Sequence, residues 1–489
     1  MSQHTLPRRP TRPGRPELAP AGPAAHEPSW GALLILLAGI FIATLDFFIV
    51  NVAIPATQRD LRAGPAAVQW IVAGFGLALA GGLIIGGRLG DVFGRRRLYI
   101  IGLALFTLAS AACGLAPTVE ALIAARMGQG VAAALLMPQV LGIINVVYTG
   151  AHRVRAFIAY GLAMGFAGVF GQLIGGALIQ ADVAGLGWRA IFWINVPIGA
   201  VAVLLAPRLV PQARAQRGSK LDLPGAMWVT AGLVAVVLPL VQGRQLGWPL
   251  WSWLCLGAAV PVLAGFVAYQ VRVARRGGAP LIDPALFRER AFAAGAGVAT
   301  VYWLAVGSFF LVLALYLQQG RGLSALNSGL VFSVLGAGYF AASLRAPKLA
   351  ARMGRQVLAA GSVAQAAGYA LLAAAVAHVG PSGSLWWVIP GLALSGFGMG
   401  VVMAPMSATV LAGVTPAHAG SAAGVLGTAQ QVGGALGIAI VGVVFYGAVG
   451  TGTPAQVSHA FVAALIPLMA FCAAAAGLVQ LLPRPTGKA

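Results

Sequence analysis

The sequence predicts an all-α integral membrane protein with about fourteen transmembrane helices and both termini in the cytoplasm. Of its 489 residues, 59% are hydrophobic and only 8% are charged, whereas soluble domains carry about 25% charged residues. The apolar residues gather in runs long enough to cross a bilayer, which takes about 20 residues. The basic residues fall mainly in alternate connections between these runs. Together these observations exclude a soluble globular protein.

The predicted spans follow one another with short connections. They lie near 31–55, 66–86, 98–116, 120–148, 154–181, 188–207, 222–242, 249–271, 292–318, 326–344, 356–378, 385–412, 420–448 and 460–482.

The net charge of +21 is distributed by side of the membrane. Of the 31 Lys and Arg, 25 lie in the tails and in the loops on the side of the N terminus, five lie in the alternate loops, and Arg126 lies inside the fourth span. Positive residues mark the cytoplasmic side. The positive net charge therefore reflects which segments face the cytoplasm, and no nucleic-acid partner is expected.

The chain divides into two bundles with inserted helices. Residues 1–29 are rich in Pro and Arg and predict a disordered cytoplasmic tail, and 484–489 form a second cytoplasmic tail. The turn at 86–97 has a weaker echo at 347–355, displaced by 260 residues. Such repeats are typical of secondary transporters. We expect a six-helix bundle over 30–207, two linker helices with cytoplasmic loops over 208–290, and a second six-helix bundle over 291–483.

Asp46 is the acid around which the functional prediction is built. It is the only one of the ten acidic residues in the middle of an apolar run, and nothing after Glu289 is acidic. A carboxylate there costs about 2.5–3.5 kcal/mol on insertion scales and usually marks an ion or substrate path. The alternative is a buried Asp neutralised by hydrogen bonds from Asn51 or Thr44.

Arg126 is the expected partner of Asp46. Counted from the outer ends of their spans, Arg126 lies about 9 Å deep and Asp46 about 13 Å deep, at 1.5 Å per residue. Opposite charges at similar depth compensate each other's burial. Gln129 shares the face of Arg126. The alternative is an Arg side chain that extends outward to the headgroups.

The fifth span carries a stripe of glycines that includes Gly168, Gly171, Gly175 and Gly176. Such a stripe allows helix backbones to approach closely. It is either a packing surface or the seam on which two bundles move, and the sequence alone leaves both open.

Polar, aromatic and Met side chains within the spans are candidates for a substrate cavity, because adaptable Met and flat aromatic groups suit apolar ligands of varied shape. Core or lipid-facing packing is the alternative for each. The candidates are Asn51, Gln129, Gln172, Tyr302, Trp303, Phe309, Met403, Gln430 and Gln431.

The order and spacing of these segments resemble the major facilitator superfamily, specifically its fourteen-span drug:proton antiporter branch. The segments are Leu45–Pro55, the turn Gly86–Arg97, Arg126–Gly130, the glycine-rich fifth span, Trp188–Pro197 and Gly420–Gly424. The resemblance covers about residues 31–482 and implies two six-helix bundles with two extra central helices.

The resemblance also implies roles for individual residues. Asp46 would accept the proton and Arg126 would be its charge partner. The glycine stripe would be the antiporter motif, although this chain has Gln172 where the family usually has Pro. A cytoplasmic gate would be formed by the turn residues, with Asp91 and Arg95 as its latch; the gate residues are Gly87, Asp91, Gly94, Arg95 and Arg96.

The expected function is export of small amphiphilic drugs or secondary metabolites by a proton-coupled transporter of the bacterial cytoplasmic membrane. Proton-coupled uptake of a metabolite or nutrient is the alternative. A single membrane acid favours one proton per cycle and makes multivalent cations poor substrates. We expect protons, a small molecule and the lipid bilayer as partners, a functional monomer, and no enzymatic activity, cofactor or metal site, since neither a phosphate-binding loop nor a metal-ligand spacing is present in the sequence.

Overall fold

The computed structural model describes residues 30–212, 222–278, 280–380, 382–411 and 419–483. The two predicted tails, 1–29 and 484–489, lie outside these residues.

The described part of the chain is built from sixteen α-helices. They are α1 (Trp30–Leu61), α2 (Pro65–Phe93), α3 (Arg95–Gly114), α4 (Val119–Val147), α5 (Gly150–Ala181), α6 (Ala190–Trp193), α7 (Asn195–Leu209), α8 (Leu223–Gln242), α9 (Leu250–Arg275), α10 (Arg290–Leu315), α11 (Ala325–Ser343), α12 (Ala346–Met353), α13 (Gln356–Val379), α14 (Ile389–Leu411), α15 (Ala419–Ala448) and α16 (Pro454–Val479).

Fourteen segments in the described ranges are long and apolar enough to cross a membrane, which confirms the predicted number. The sixth of them, Gly187–Leu209, is not one continuous helix but a 3-10 turn followed by α6 and α7. The ninth continues beyond α10 into a π-helical turn, Tyr316–Gly320. The short α12 lies between two spans, in the region of the weak repeat that the sequence shows.

Local chemistry fixes several helix boundaries. The side chains of Thr118, Ser324 and Thr453 each accept a hydrogen bond from a backbone N–H in the first turn of α4, α11 and α16, respectively, and these N–H groups have no partner within the helix. Gly94 alone separates α2 from α3 and has φ +93°. An L side chain is strained at that angle, so glycine permits the abrupt reversal between the two spans.

The linker helices α8 and α9 pack against each other, and α8 also packs against α2 and α15. Helix α8 therefore touches one helix from each bundle. One carboxylate holds the cytoplasmic ends of this pair. Asp222 accepts hydrogen bonds from Gly225 N, Tyr269 Oη, Gln270 Nε2 and Leu281 N.

The two bundles meet through α5 and α11, α2 and α15, and α1 and α10. Near the extracellular ends, Gln318 Nε2 donates to the Val52 carbonyl at 2.8 Å and Gln319 Nε2 donates to Gln58 Oε1 at 2.8 Å. The ring centroids of Phe48 on α1 and Phe310 on α10 are 4.9 Å apart. These contacts join the extracellular halves of the bundles.

Candidate functional site

Asp46 lies in the middle of α1 with its side chain fully buried. Its Oδ2 forms a salt bridge with Arg126 Nη1 of α4. Its Oδ1 accepts hydrogen bonds from Gln129 Nε2 at 3.1 Å and from Asn195 Nδ2 at 3.0 Å. The structure therefore surrounds the carboxylate with donors from two other helices.

Arg126 is also fully buried, so the alternative in which it extends to the headgroups is wrong. Its Nε donates to the Ile71 carbonyl at 3.1 Å and its Nη1 to Gln129 Oε1 at 2.9 Å. Its guanidinium carbon lies 4.5 Å from the centre of the Phe75 ring. A backbone carbonyl, an amide and an aromatic face of α2 and α4 thus stabilise the charge together with Asp46.

Three further side chains complete this arrangement, and none of them is among the residues predicted from the sequence to form the site. Ser110 Oγ on α3 accepts from Gln129 Nε2 at 2.8 Å and from Asn195 Nδ2 at 2.9 Å. Cys113 Sγ, one turn further along α3, donates to Gln129 Oε1 at 3.2 Å. We call Asp46, Ser110, Cys113, Arg126, Gln129 and Asn195 the carboxylate cluster. The sequence signal for Ser110 and Asn195 was the presence of a polar residue inside an apolar span.

The alternative in which Asn51 or Thr44 neutralises Asp46 is not what the structure shows. Asn51 Nδ2 donates to the Phe48 carbonyl at 3.0 Å, and Thr44 Oγ1 has no hydrogen-bond partner. Gln129, which is also a predicted cavity residue, belongs to the carboxylate cluster and is fully buried there.

The cluster can hold one negative and one positive charge out of water. Desolvating two ions costs several kcal/mol each, and a short, hydrogen-bonded pair is needed to offset that cost. Among the described residues that are buried, Asp46 and Arg126 are the only charged ones. If the carboxylate takes up a proton, the attraction that holds the pair together is lost, so the pair can respond to protonation by separating.

The glycine stripe of α5 has two faces, one toward α1 and one toward α11. A Cβ built at Gly168, Gly171 or Gly175 would meet side chains of α1 at 2.5–3.4 Å, within the same bundle. A Cβ at Gly176 would lie 2.4 Å from the Ala325 carbonyl oxygen of α11, in the other bundle. The stripe therefore packs α5 against α1 and also forms part of the contact between bundles.

Gln172 lies within that stripe and is fully buried. Its Nε2 donates to the Phe48 carbonyl of α1 at 2.6 Å. Its own backbone carbonyl is close to Gly329 of α11, where a built Cβ would lie 2.7 Å away. The residue that replaces the usual Pro thus links α5 to α1 by a side-chain hydrogen bond and touches α11 with its backbone.

Two of the predicted cavity residues point elsewhere. Tyr302 is fully buried and its hydroxyl donates to Gln365 Oε1 of α13, while Gln365 Nε2 donates to Tyr369 Oη at 2.7 Å. Phe309 packs on Tyr369 with ring centroids 4.6 Å apart. Both side chains of α10 therefore face α13 inside the C-terminal bundle and do not line a cavity between the bundles. Phe310 is the aromatic residue that faces α1.

The other C-terminal candidates lie on α10, α14 and α15. Trp303 is 8% exposed and its Nε1 has no hydrogen-bond partner. Gln431 is partly exposed, and its Oε1 also has none. Gln430 Nε2 lies 3.8 Å from Met406 Sδ, and Met403 is partly buried. These groups keep unused hydrogen-bonding capacity and a polarisable surface.

The turn between α2 and α3 shows how its basic residues are used. Arg96 Nη1 donates to the Pro207 and Val210 carbonyls at the cytoplasmic end of α7. A Cβ built at Gly142 of α4 would lie 2.1 Å from Arg95 Nη1, so Arg95 extends across that glycine. Gly87 lies on α2, where a built Cβ would be 3.8 Å from Pro138. Asp91 is part of α2, but its side chain lies outside the described part, and its pairing with Arg95 stays a prediction.

A comparison with protein families identifies the chain. The family described as Major Facilitator Superfamily matches residues 36–438. The chain belongs to this superfamily. The identification agrees with the resemblance drawn from the sequence, and it makes the protein a multi-pass membrane transporter.

Curated relatives from actinomycetes cover most of the chain. A probable actinorhodin transporter of Streptomyces coelicolor is 39% identical over 90% of this chain and 77% of its own length. A puromycin resistance protein of Streptomyces alboniger is 37% identical over 86% and 82%. A tetracenomycin C resistance and export protein of Streptomyces glaucescens is 33% identical over 88% and 80%.

Solved structures share the fold at low sequence identity. The peptide transporter PepTSo of the POT family has a TM-score of 0.68 at 15% identity, covering 93% of this chain and 98% of that chain. A bacterial homologue of the human lysosomal transporter Spinster has a TM-score of 0.64 at 16% identity, covering 92% and 96%. The fold prediction is thereby confirmed.

Proposed function

We propose that this transporter exports small amphiphilic secondary metabolites or drugs across the bacterial cytoplasmic membrane in exchange for protons, by alternating access between its two bundles. The observation that carries the proposal is the buried ion pair of Asp46 and Arg126. The relatives named above support the direction, since their names describe transport of, export of or resistance to antibiotics.

The proton cycle uses both charges of the pair. Deprotonated Asp46 binds Arg126, as in this structure. When the site opens to the more acidic outer side, Asp46 takes up the proton and the ion pair is lost. Opening to the cytoplasm re-forms the pair and releases the proton inward, because Arg126 favours the charged carboxylate. Substrate moves outward in the opposite half of the cycle.

The substrate is proposed to lie between the bundles, below the extracellular contacts of Gln318 and Gln319. Asn51, Gln172, Trp303, Met403, Gln430 and Gln431 are the proposed polar and polarisable groups of this cavity. Phe48 and Phe310 would close it on the extracellular side. Because the chain has no acid after Glu289, the C-terminal bundle offers no carboxylate to a cation. We therefore expect multivalent cations to be poor substrates, and compounds with flat apolar parts and at most one positive charge to be transported.

The remaining features follow the fold. We propose a monomer, because the ion pair and the candidate cavity are both formed within one chain. The cytoplasmic gate is proposed at the turn 86–97, with Gly87, Asp91, Gly94 and Arg95. Arg96 would instead anchor α3 to the end of α7.

The test is active export in everted membrane vesicles, with puromycin as the probe because a relative confers resistance to it. Wild-type protein should accumulate puromycin in the lumen when the lumen is acid, and Asp46→Asn should not. Asp60→Asn is the matched control, since Asp60 is an acid of the same helix whose side chain is 47% exposed.

Two results would overturn the proposal. One is active accumulation by Asp46→Asn at the wild-type rate. The other is proton movement into the lumen together with the substrate, which would indicate uptake in the cell.

A further inference from the structure

Asn195 makes contacts that set it apart from the other polar residues around Asp46. It is the first residue of α7 and its side chain is fully buried. Its Nδ2 donates to Asp46 Oδ1 at 3.0 Å and to Ser110 Oγ at 2.9 Å. Its Oδ1 has no hydrogen-bond partner, although a buried carbonyl oxygen without one is unfavourable.

The other acceptors next to Asp46 are already occupied. Gln129 Oε1 accepts from Arg126 Nη1 and Cys113 Sγ. Ser110 Oγ accepts from two amides. Of the amide and hydroxyl oxygens in the carboxylate cluster, Asn195 Oδ1 is thus the one that the described contacts leave unused.

Protonation of Asp46 changes what the carboxyl group needs. A carboxylate only accepts hydrogen bonds, whereas a carboxylic acid also donates one through its O–H. In a site without water, that O–H needs an acceptor within the protein, because burying it without a hydrogen bond is unfavourable. Arg126 has no acceptor to offer.

We propose that Asn195 is the positioning residue for the proton on Asp46, binding the carboxylate through Nδ2–H and the carboxylic acid through Oδ1. A half-turn of the carboxamide exchanges the two ends, which are of nearly equal size, so the neighbours need not repack. One proton is added to Asp46 and one O–H···O hydrogen bond forms; no other covalent bond changes. This inference rests on the proposed proton coupling.

A second set of contacts joins the segment of Asn195 to α1 near the extracellular surface. Asp60, at the extracellular end of α1, accepts from Trp188 Nε1 at 2.9 Å and from Arg189 Nη1 at 2.6 Å. The stretch from Trp188 to Asn195 therefore binds α1 both near the surface and at Asp46. Among the described residues, the charged or titratable groups that face Asp46 are Arg126 of α4 and Cys113 of α3; α2 and α7 contribute neutral groups.

The test follows the protonation of Asp46 directly, without substrate. Infrared difference spectra of the reconstituted wild-type protein, recorded during an acid titration, should contain a carboxylic acid C=O band that is absent from Asp46→Asn. Asn195→Leu, which keeps the branched skeleton of the side chain but has no polar group, should move that band. Gln365→Leu removes another buried amide, which binds Tyr302 and Tyr369 in the C-terminal bundle and does not touch Asp46, and should leave the band in place.

Transport by the same variants supplies the second readout. In proteoliposomes, Asn195→Leu should lower proton-driven puromycin transport by about tenfold, the factor for losing a hydrogen bond of about 1.4 kcal/mol. Puromycin counterflow without a proton gradient should stay near the wild-type rate. Asn195→Ser, which keeps a group that both donates and accepts, should recover most of the driven transport.

The outcomes separate this inference from the proposed function. An Asp46-dependent band that Asn195→Leu leaves unmoved overturns the inference, and so does an equal loss of driven transport and counterflow in both Asn195 variants. Absence of any Asp46-dependent band in the wild type instead refutes the proton site itself, and with it the basis of the inference.

Discussion

The buried ion pair predicts a strong non-additivity between substitutions of Asp46 and Arg126. Removing one partner of a buried pair typically costs about 3–5 kcal/mol because the other charge stays unpaired. In this structure the cost of Asp46→Asn is reduced, since Arg126 keeps the Ile71 carbonyl, Gln129 and the Phe75 ring. We expect about 2–3 kcal/mol for Asp46→Asn and about 3–5 kcal/mol for Arg126→Leu.

The double variant should be at least as stable as the less stable of the two single variants, because it removes both desolvated charges. The two effects should therefore fail to add by at least about 2 kcal/mol. The measurement is a double-mutant cycle from detergent-induced unfolding of the purified protein, followed by tryptophan fluorescence.

The exposed pair of Asp60 and Arg189 is the matched control, because its side chains are 47% and 29% exposed. Its cycle, with Asp60→Asn and Arg189→Gln, should give a coupling of about 0–1 kcal/mol. A coupling between Asp46 and Arg126 as small as that of the control pair would refute the view that a desolvated ion pair stabilises the interior of the N-terminal bundle.

Three further predictions concern other parts of the molecule. Gly176→Leu should strongly reduce transport, because a Cβ there meets the Ala325 carbonyl. Gly161→Leu should not, because a Cβ built at Gly161 meets no atom of another helix within 4 Å. Equal export by both variants at equal abundance would contradict the role of the inter-bundle contact. Burial raises the pKa of Asp222, but hydrogen bonds from Gln270, Gly225, Tyr269 and Leu281 outweigh that effect and hold its pKa below the ordinary value. This stabilisation is present above the ordinary pKa of about 3.9 and is lost as pH falls through the lowered pKa of the folded state. Asp222→Asn should therefore lower Tm at pH 7. Its Tm should also fall less on acidification than the Tm of the wild type. Exchange of one proton for a neutral substrate moves one charge inward. An inside-negative potential of about 100 mV, worth about 2.3 kcal/mol per charge, should therefore support a substrate gradient of about 50-fold without any pH gradient. Substrate accumulation that does not change with valinomycin-imposed potentials would exclude that stoichiometry.

The course of the chain through the membrane was predictable because lipid leaves few options. Backbone groups in hydrocarbon must be satisfied internally, so each long apolar run has to be a helix. The predicted run at 356–378 became α13, Gln356–Val379, for this reason. The pairing of Asp46 with Arg126 followed from charge compensation at similar depth.

The direction of individual side chains was not predictable in the same way. Helix α10 is apolar on all sides, so its sequence has no polar face from which to read the direction of Tyr302 or Phe309. The structure turns both toward α13, where Tyr302 finds Gln365.

The role of Asn195 was out of reach for a related reason. It meets Asp46 from a span 149 residues away. Side-chain register across such distances is set by packing, which one sequence does not reveal.

Counting the protons released per exported molecule tests the central claim most directly. In proteoliposomes that carry a trapped pH indicator, puromycin added to the cytoplasmic face should release about one proton per molecule through the wild-type protein, the number that a single membrane carboxylate permits. Asp46→Asn should release none, while Asp60→Asn should behave as the wild type. Proton release by Asp46→Asn at the wild-type ratio would contradict the account, because the proton would then travel on some other group.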